Sequence, residues 1–137
     1  MKEVFANTHY FIALLNRHDQ FHAAAMAASS HQAWRLTTSL WVLAEVADAL
    51  RSPSMRSIAD QFIRAALSSA DFLVIAEAEH WFTRGLDLYG QRGDKAWSLT
   101  DCISFEVMKA RGIEEALTGD HHFAQAGFTP LLSLPPV

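Results

Sequence analysis

Three carboxylates in this 137-residue chain sit in stretches that carry no other charge. Glu45 is the one charged residue between Leu36 and Ala47, Asp101 the one between Ala96 and Phe105, and Asp120 the one from Ala116 onward. An acid embedded in apolar sequence becomes buried or half-buried on folding, which is costly unless something pairs with it. No lysine shares those stretches, so the set has the composition of an oxygen-rich site for Mg²⁺ or Mn²⁺. Such an ion can activate water for attack on a phosphodiester and stabilise the oxygen that leaves. A fourth position breaks the pattern. The opening segment Glu3-Val4-Phe5-Ala6 runs into Asn7-Thr8, an amide where a fourth carboxylate would complete the set.

Two of the acids also have a purely structural reading. Asp120 could cap a short turn over Gly119-Asp120-His121-His122-Phe123, and Ser98-Leu99-Thr100-Asp101 has the spacing of a capping box. Glu45 has the weakest such alternative, because a helix carrying Leu40, Leu43, Val46 and Leu50 needs no acid. His18 and His22 stand four apart, a spacing zinc could use, but no third ligand accompanies them and Asp19-Gln20 marks a solvated face. His121-His122 reads as a surface turn beside Asp120, with contact to a bound phosphate as the other reading. The single Cys102 lies among apolar residues and reads as a small core side chain. No G-x-S-x-G, P-loop or G-x-G-x-x-G motif occurs.

The elements that must position these residues alternate between strand and helix. Residues 3–6 form a short strand, and a helix begins at Thr8 and ends near Asn16. Asp19 is expected to cap an alanine-rich helix reaching Ala28. Residues 35–38 make a second strand, followed by a helix from about Ser39 to Leu50. Ser52-Pro53 reads as a cap with proline at the first helical position, the helix continuing to Ser68. The apolar run 71–76 is expected to be a strand covered on both faces. A helix follows over 77–89, with Ala78, Trp81, Phe82, Gly85, Leu86 and Tyr89 on its packed side, and Gly90–Gly93 breaks it. Another helix spans 101–111 with Gly112 ending it. Residues 115–118 form a strand, and 128–132 an edge strand.

Short strands alternating with helices specify an α/β protein with a parallel sheet of four to five strands and right-handed crossovers. Ligands of such sheets bind beyond the carboxyl ends of the strands. Asn7 and Asp120 follow strands directly, Glu45 lies in the helix after strand two, and Asp101 opens the helix leading to the fourth strand. All of them can therefore meet at one sheet edge.

At this length the chain suits one domain over 1–137 with a single core. Half its residues are hydrophobic and 19% are charged, which excludes a disordered chain. The longest apolar stretches fall short of a membrane span and no signal peptide opens the chain; with its lone cysteine, this favours the cytoplasm. A net charge of −4 excludes the broad basic footprint of a general nucleic-acid binder. A nucleic-acid substrate would need a local patch drawn from the scattered Arg17, Arg35, Arg51, Arg56, Arg64, Arg84, Arg92, Lys95, Lys109 and Arg111.

Several segments carry a resemblance. They are Val4-Phe5-Ala6-Asn7-Thr8 with Ile12-Ala13-Leu14-Leu15, Thr37-Thr38 with Leu43-Ala44-Glu45-Val46, Trp97 to Phe105, and Gly112-Ile113 with Ala116 to Phe123. Over nearly its whole length the chain resembles PIN-domain proteins, close to the VapC-like ribonuclease toxins of type II toxin–antitoxin pairs. That resemblance implies a three-layer α/β/α fold and an acidic quartet, matched here by Glu45, Asp101 and Asp120, with Asn7 standing where the family has Asp. Thr8 matches the small hydroxyl residue that follows that Asp. It further implies a Mg²⁺- or Mn²⁺-dependent endoribonuclease, a homodimer, and an antitoxin that covers the site. Asn7 can still offer an amide oxygen to the ion, but it is neutral and cannot act as a base. Two readings follow: a ribonuclease of the toxin class attenuated or inactivated at Asn7, and a non-catalytic module that binds RNA or protein. A small phosphohydrolase of another family lacks a nucleophile motif here.

Overall fold

The computed structural model describes residues 1–31 and 33–134; residues 135–137, the end of the expected domain, lie outside them. In chain order the elements are β1 (Lys2–Ala6), α1 (Thr8–Leu15), α2 (His22–Ser29), β2 (Trp34–Ser39), α3 (Leu40–Ala49) and α4 (Arg56–Ser68). They continue with β3 (Phe72–Ile75), α5 (Ala78–Gln91), α6 (Leu99–Arg111), β4 (Glu115–Leu117), α7 (His121–Gln125) and β5 (Thr129–Pro130). The strands pair in the order β3-β2-β1-β4-β5, every pair parallel. Helices α1 to α4 pack among themselves, and α5, α6 and α7 pack among themselves, giving the three α/β/α layers.

A strand covered on both faces loses the alternation of buried and exposed residues. The central strand β1 shows this, with Val4, Phe5 and Ala6 all fully buried. β3 was the other segment expected to be covered on both sides. It lies at the sheet edge, and Leu73 is 38% exposed there. Strand order, which a linear sequence does not display, decides that difference.

Three helix expectations are corrected in detail. The Asp19 side chain does not cap α2; it accepts from Phe21 N at 2.8 Å and shapes the turn before the helix, whose N-cap is Phe21. Pro53 opens a hydrogen-bonded turn in which the Ser52 carbonyl accepts from Arg56 N at 2.9 Å. The regular helix counts only from Arg56, because Met55 at φ −114° departs from helical geometry. α5 passes through Gly90 and packs along Trp81, Gly85 and Leu88, leaving Phe82, Leu86 and Tyr89 exposed. Gly85 sets that choice. A Cβ there would lie 2.3 Å from Ile103 Cγ1 on α6, so only glycine allows the two helices to approach this closely.

α6 is the best-terminated helix. Ser98 and Asp101 form a reciprocal capping box at its start, and Gly112 ends it in the left-handed region at φ 68°. Its buried face carries Cys102, Ile103, Phe105, Val107 and Met108. Phe105 packs edge-on against Trp97 and Phe123 at 5.0 and 4.9 Å between ring centroids. Trp97 Nε1 donates to Gln125 Oε1 at 3.0 Å. These contacts hold the short α7 against the start of α6.

Candidate metal centre

Asn7 leaves β1 at its carboxyl end and is 4% exposed. Its carbonyl accepts from Tyr10 N at 3.1 Å, starting α1, while its own N–H donates to Leu117 O at 3.3 Å. The register Phe5↔Ala116 and Ala6↔Leu117, taken one step further, sets Asn7 beside Thr118. Its side chain does not cap the helix; Nδ2 instead donates to Thr118 Oγ1 at 3.2 Å. That leaves Oδ1 as the oxygen a cation could use.

Thr118 is fully buried and serves both neighbours, because its Oγ1 also accepts from Asp120 N at 3.0 Å. Asp120 caps α7 in turn, with Oδ1 accepting from His122 N at 2.9 Å. His122 Nδ1 lies 3.3 Å from Asp120 Oδ1 and 3.5 Å from Asp101 Oδ2, so it stands between the two acids. Asp101 is 8% exposed, and its Oδ2 accepts from Ser98 N at 3.1 Å. Burial pushes the Asp101 carboxyl above its ordinary value and the charge of Asp120 adds to this, against the opposing pull of Ser98 and His122.

Glu45 enters from α3, half-buried, where Thr8 Oγ1 donates to its Oε1 at 2.6 Å. Hydrogen bonds and short contacts run from Asn7 through Thr118, Asp120 and His122 to Asp101, and Glu45 is tied to them only through Thr8, the chain neighbour of Asn7. The cap and ligand readings of Asp101 and Asp120 are compatible, since one carboxylate oxygen serves the cap and the other stays open. Among the described residues no Lys or Arg forms an ion pair with Glu45, Asp101 or Asp120. Uncompensated anions with free oxygens, plus an amide oxygen, are the donor set of a hard divalent cation. The donor types suit such an ion, but Glu45 and Asp101 are not gathered with Asp120 at ligand distance: among the described residues, Asp120, His121 and His122 alone bring three ligand atoms within 4.8 Å of one another.

Sequence reasoning missed His9 and Thr118. His9 Nδ1 accepts the Gly119 N–H at 2.8 Å and its ring stands edge-on to Phe21 at 4.4 Å, pinning the loop that carries Asp120. A Cβ on Gly119 would come within 2.8 Å of His9 and 2.9 Å of Phe21, so glycine is required there. The only signal for Thr118 was a hydroxyl at the end of a strand, and its partner becomes visible once β1 and β4 are neighbours.

His18 lies in the turn before α2 and His22 Nδ1 sits 2.8 Å from Ala13 O, so the two do not form a helical metal pair. Cys102 is buried, and its thiol is pushed up to about 11 by burial and by the charges of Asp101 and Glu106, as suits a core residue. Of the scattered cations, Arg64, Arg84, Arg92 and Arg111 pair with Asp60, Glu106, Asp94 and Glu3.

The family model described as PIN domain matches residues 4–129. The solved structure of Mycobacterium tuberculosis VapC20, titled a sarcin–ricin loop cleaving toxin, matches with a TM-score of 0.86 at 25% identity. The match covers 95% of this chain and 99% of that one. No curated protein matches the sequence.

Proposed function

The chain belongs to the PIN-domain family, and from that premise we propose that it is a Mg²⁺- or Mn²⁺-dependent endoribonuclease of the toxin–antitoxin class, attenuated or inactivated by Asn7. The observation that carries the proposal is the linked cluster of Asn7, Glu45, Asp101 and Asp120 with no Lys or Arg pairing its acids among the described residues. The likeness to a toxin that cleaves the sarcin–ricin loop supports RNA as substrate and a cognate antitoxin as partner. Phe82, Leu86 and Tyr89, 43%, 47% and 50% exposed along α5, support a protein interface, with a homodimer as our reading. Among the described residues no helix is long and apolar enough to cross a membrane; a cytoplasmic location is our reading from RNA as the substrate.

Glu45, Asp101, Asp120 and the Asn7 amide oxygen would hold the ion. Bound there, it would lower the pKa of water and stabilise the leaving oxygen of the phosphodiester. The chain's own part is positional. The Thr8 hydroxyl fixes Glu45, Ser98 fixes Asp101, and the Thr118 hydroxyl fixes Asn7 and the backbone of Asp120. Asn7 contributes no charge and cannot accept a proton, so the field that favours ionised water is weaker by one anion. The buried amide donating to Thr118 equally favours the second reading, a module that binds RNA or protein without cleaving.

Growth on expression without an antitoxin separates the two. Asn7→Asp should slow growth relative to the wild type, and adding Glu45→Gln should restore it. Equal growth of all three strains at matched protein levels would favour the binding module. Sedimentation at micromolar concentration tests the homodimer, and a species of only 15.3 kDa would exclude it.

A further inference from the structure

His121 and His122 are not needed to explain a carboxylate site for a hard cation, yet they stand against it. Among the described residues, Asp120, His121 and His122 form the one group of three metal-ligating side chains whose candidate ligand atoms all lie within 4.8 Å of one another. Asp101 stands beside the group, within reach of His122 but not of all three members. His122 Nδ1 is 3.3 Å from Asp120 Oδ1 and 3.5 Å from Asp101 Oδ2, while His121 Nδ1 is 3.7 Å from Asp120 Oδ1. The two imidazole centroids are 4.4 Å apart.

These separations have a simple geometric meaning. Bonds of about 2.1 Å to imidazole nitrogen and carboxylate oxygen place the ligand atoms of a tetrahedron about 3.4 Å apart. Three of the six edges, His122 to each acid and His121 to Asp120, lie at 3.3–3.7 Å, around that length. Imidazole suits zinc, copper, iron and nickel, whereas Mg²⁺ takes oxygen ligands in octahedral geometry. Consecutive side chains on a helix ordinarily diverge by about 100°. Here the Asp120 cap starts α7, and Trp97 with Phe105 and Phe123 holds that short helix so that His122 faces Asp101.

We propose that Asp120, His121 and His122 form a nitrogen-containing site for a zinc-type transition-metal dication, with Asp101, 3.5 Å from His122, drawn in as the fourth ligand. The site shares two carboxylates with the proposed Mg²⁺ centre, so one ion excludes the other. His122 is the central ligand, held within 3.5 Å of both acids. His121, its side chain 74% exposed, swings in to close the site. Zinc then acts as an inhibitor of the hard-cation centre, because it withdraws Asp101 and Asp120 and leaves Glu45 and Asn7 alone. Only this inhibition rests on the nuclease reading; the ligation does not.

The test uses the full chain with Co²⁺ as a spectroscopic stand-in for Zn²⁺. The wild type should give the intense visible bands of tetrahedral Co²⁺, and added Zn²⁺ should bleach them. His122→Gln should abolish the bands and weaken Zn²⁺ binding at least about 10–100-fold, the loss seen for even an outer partner of a metal ligand. Mn²⁺ affinity in the same variant should change far less. His121→Gln, at an exposed position where folding is not at stake, should weaken Zn²⁺ in the same direction. Saturating Zn²⁺ should suppress Mn²⁺ binding to the wild type. Weak octahedral bands alone, equal Zn²⁺ affinity in wild type and both variants, or Mn²⁺ binding unaffected by Zn²⁺ would each overturn the proposal. Failure of RNA cleavage by Asn7→Asp would instead remove the nuclease reading and leave these spectra unaltered.

Discussion

Asn7→Asp should make the metal-free protein less stable and make its stability depend on a divalent ion. The wild-type amide is 4% exposed and donates to Thr118 Oγ1, which also accepts from Asp120 N. A carboxylate at that position cannot donate, but the Thr118 hydroxyl can turn its proton toward it. An uncompensated buried charge costs about 3–5 kcal/mol, and one charge-assisted hydrogen bond returns about 1.5–3 kcal/mol. The net loss is therefore at most about 3.5 kcal/mol and about 2 kcal/mol at mid-range, the latter worth roughly 6–10 °C in Tm for a chain of this size. Mn²⁺ at about 100 times its Kd should return about 2.7 kcal/mol to the variant. The wild type, with one anion fewer, should bind less tightly and gain less at the same Mn²⁺ concentration. Thermal unfolding of both proteins with EDTA and with Mn²⁺ measures all of this. Equal Tm values in EDTA would mean that position 7 buries no uncompensated charge, and equal shifts on adding Mn²⁺ that it faces no metal.

Further outcomes follow from the same geometry. Burial and the charge of Asp120 hold the Asp101 carboxyl above its ordinary value of 3.8, so the native protein binds that proton more tightly than the unfolded chain does. The stability this supplies is complete below 3.8 and is lost as pH rises through the elevated native value. Asp101→Asn, still able to accept from Ser98 N, should therefore be more stable than the metal-free wild type near neutral pH. The gap should close with acid, and a pH-independent difference in urea unfolding would contradict this. In Mn²⁺ calorimetry the same substitution should weaken binding, and unchanged affinity would leave Asp101 as a helix cap alone. Gly119→Ala places a methyl against His9 and Phe21, and should cost about 1–3 kcal/mol while displacing Asp120. Its Mn²⁺ affinity should fall with its Tm, whereas Gly85→Ala, which forces α5 from Ile103, should lower Tm alone.

Much of this was legible in the sequence because burial leaves a mark there. Glu45, Asp101 and Asp120 stood out as charges where the chain is otherwise apolar, and Ser98, Asp101 and Gly112 announced the ends of α6. The parallel sheet followed from alternating strands and helices. Strand order did not, so the exposure of Leu73 on the edge strand β3 was hidden. The face α5 packs was hidden for a related reason. Trp81 with Leu88 and Phe82 with Leu86 give two apolar stripes, and the closeness of Ile103 to Gly85 selects between them. His9 and Thr118 act across 110 and 111 residues of sequence, through contacts that exist only once β1 lies beside β4.

A hard-cation ribonuclease centre short of one charge should regain activity when that charge is restored. The initial rate of Mg²⁺-dependent RNA cleavage in purified wild type, Asn7→Asp, and Asn7→Asp with Glu45→Gln measures this. A lost outer partner costs a metal site about 10–100-fold, and a lost ligand charge should cost at least as much. Asn7→Asp should exceed the wild type by at least that factor, EDTA should abolish the gain, and Glu45→Gln should reverse it. RNA left intact by Asn7→Asp at saturating Mg²⁺ and Mn²⁺ would mean that no such centre survives.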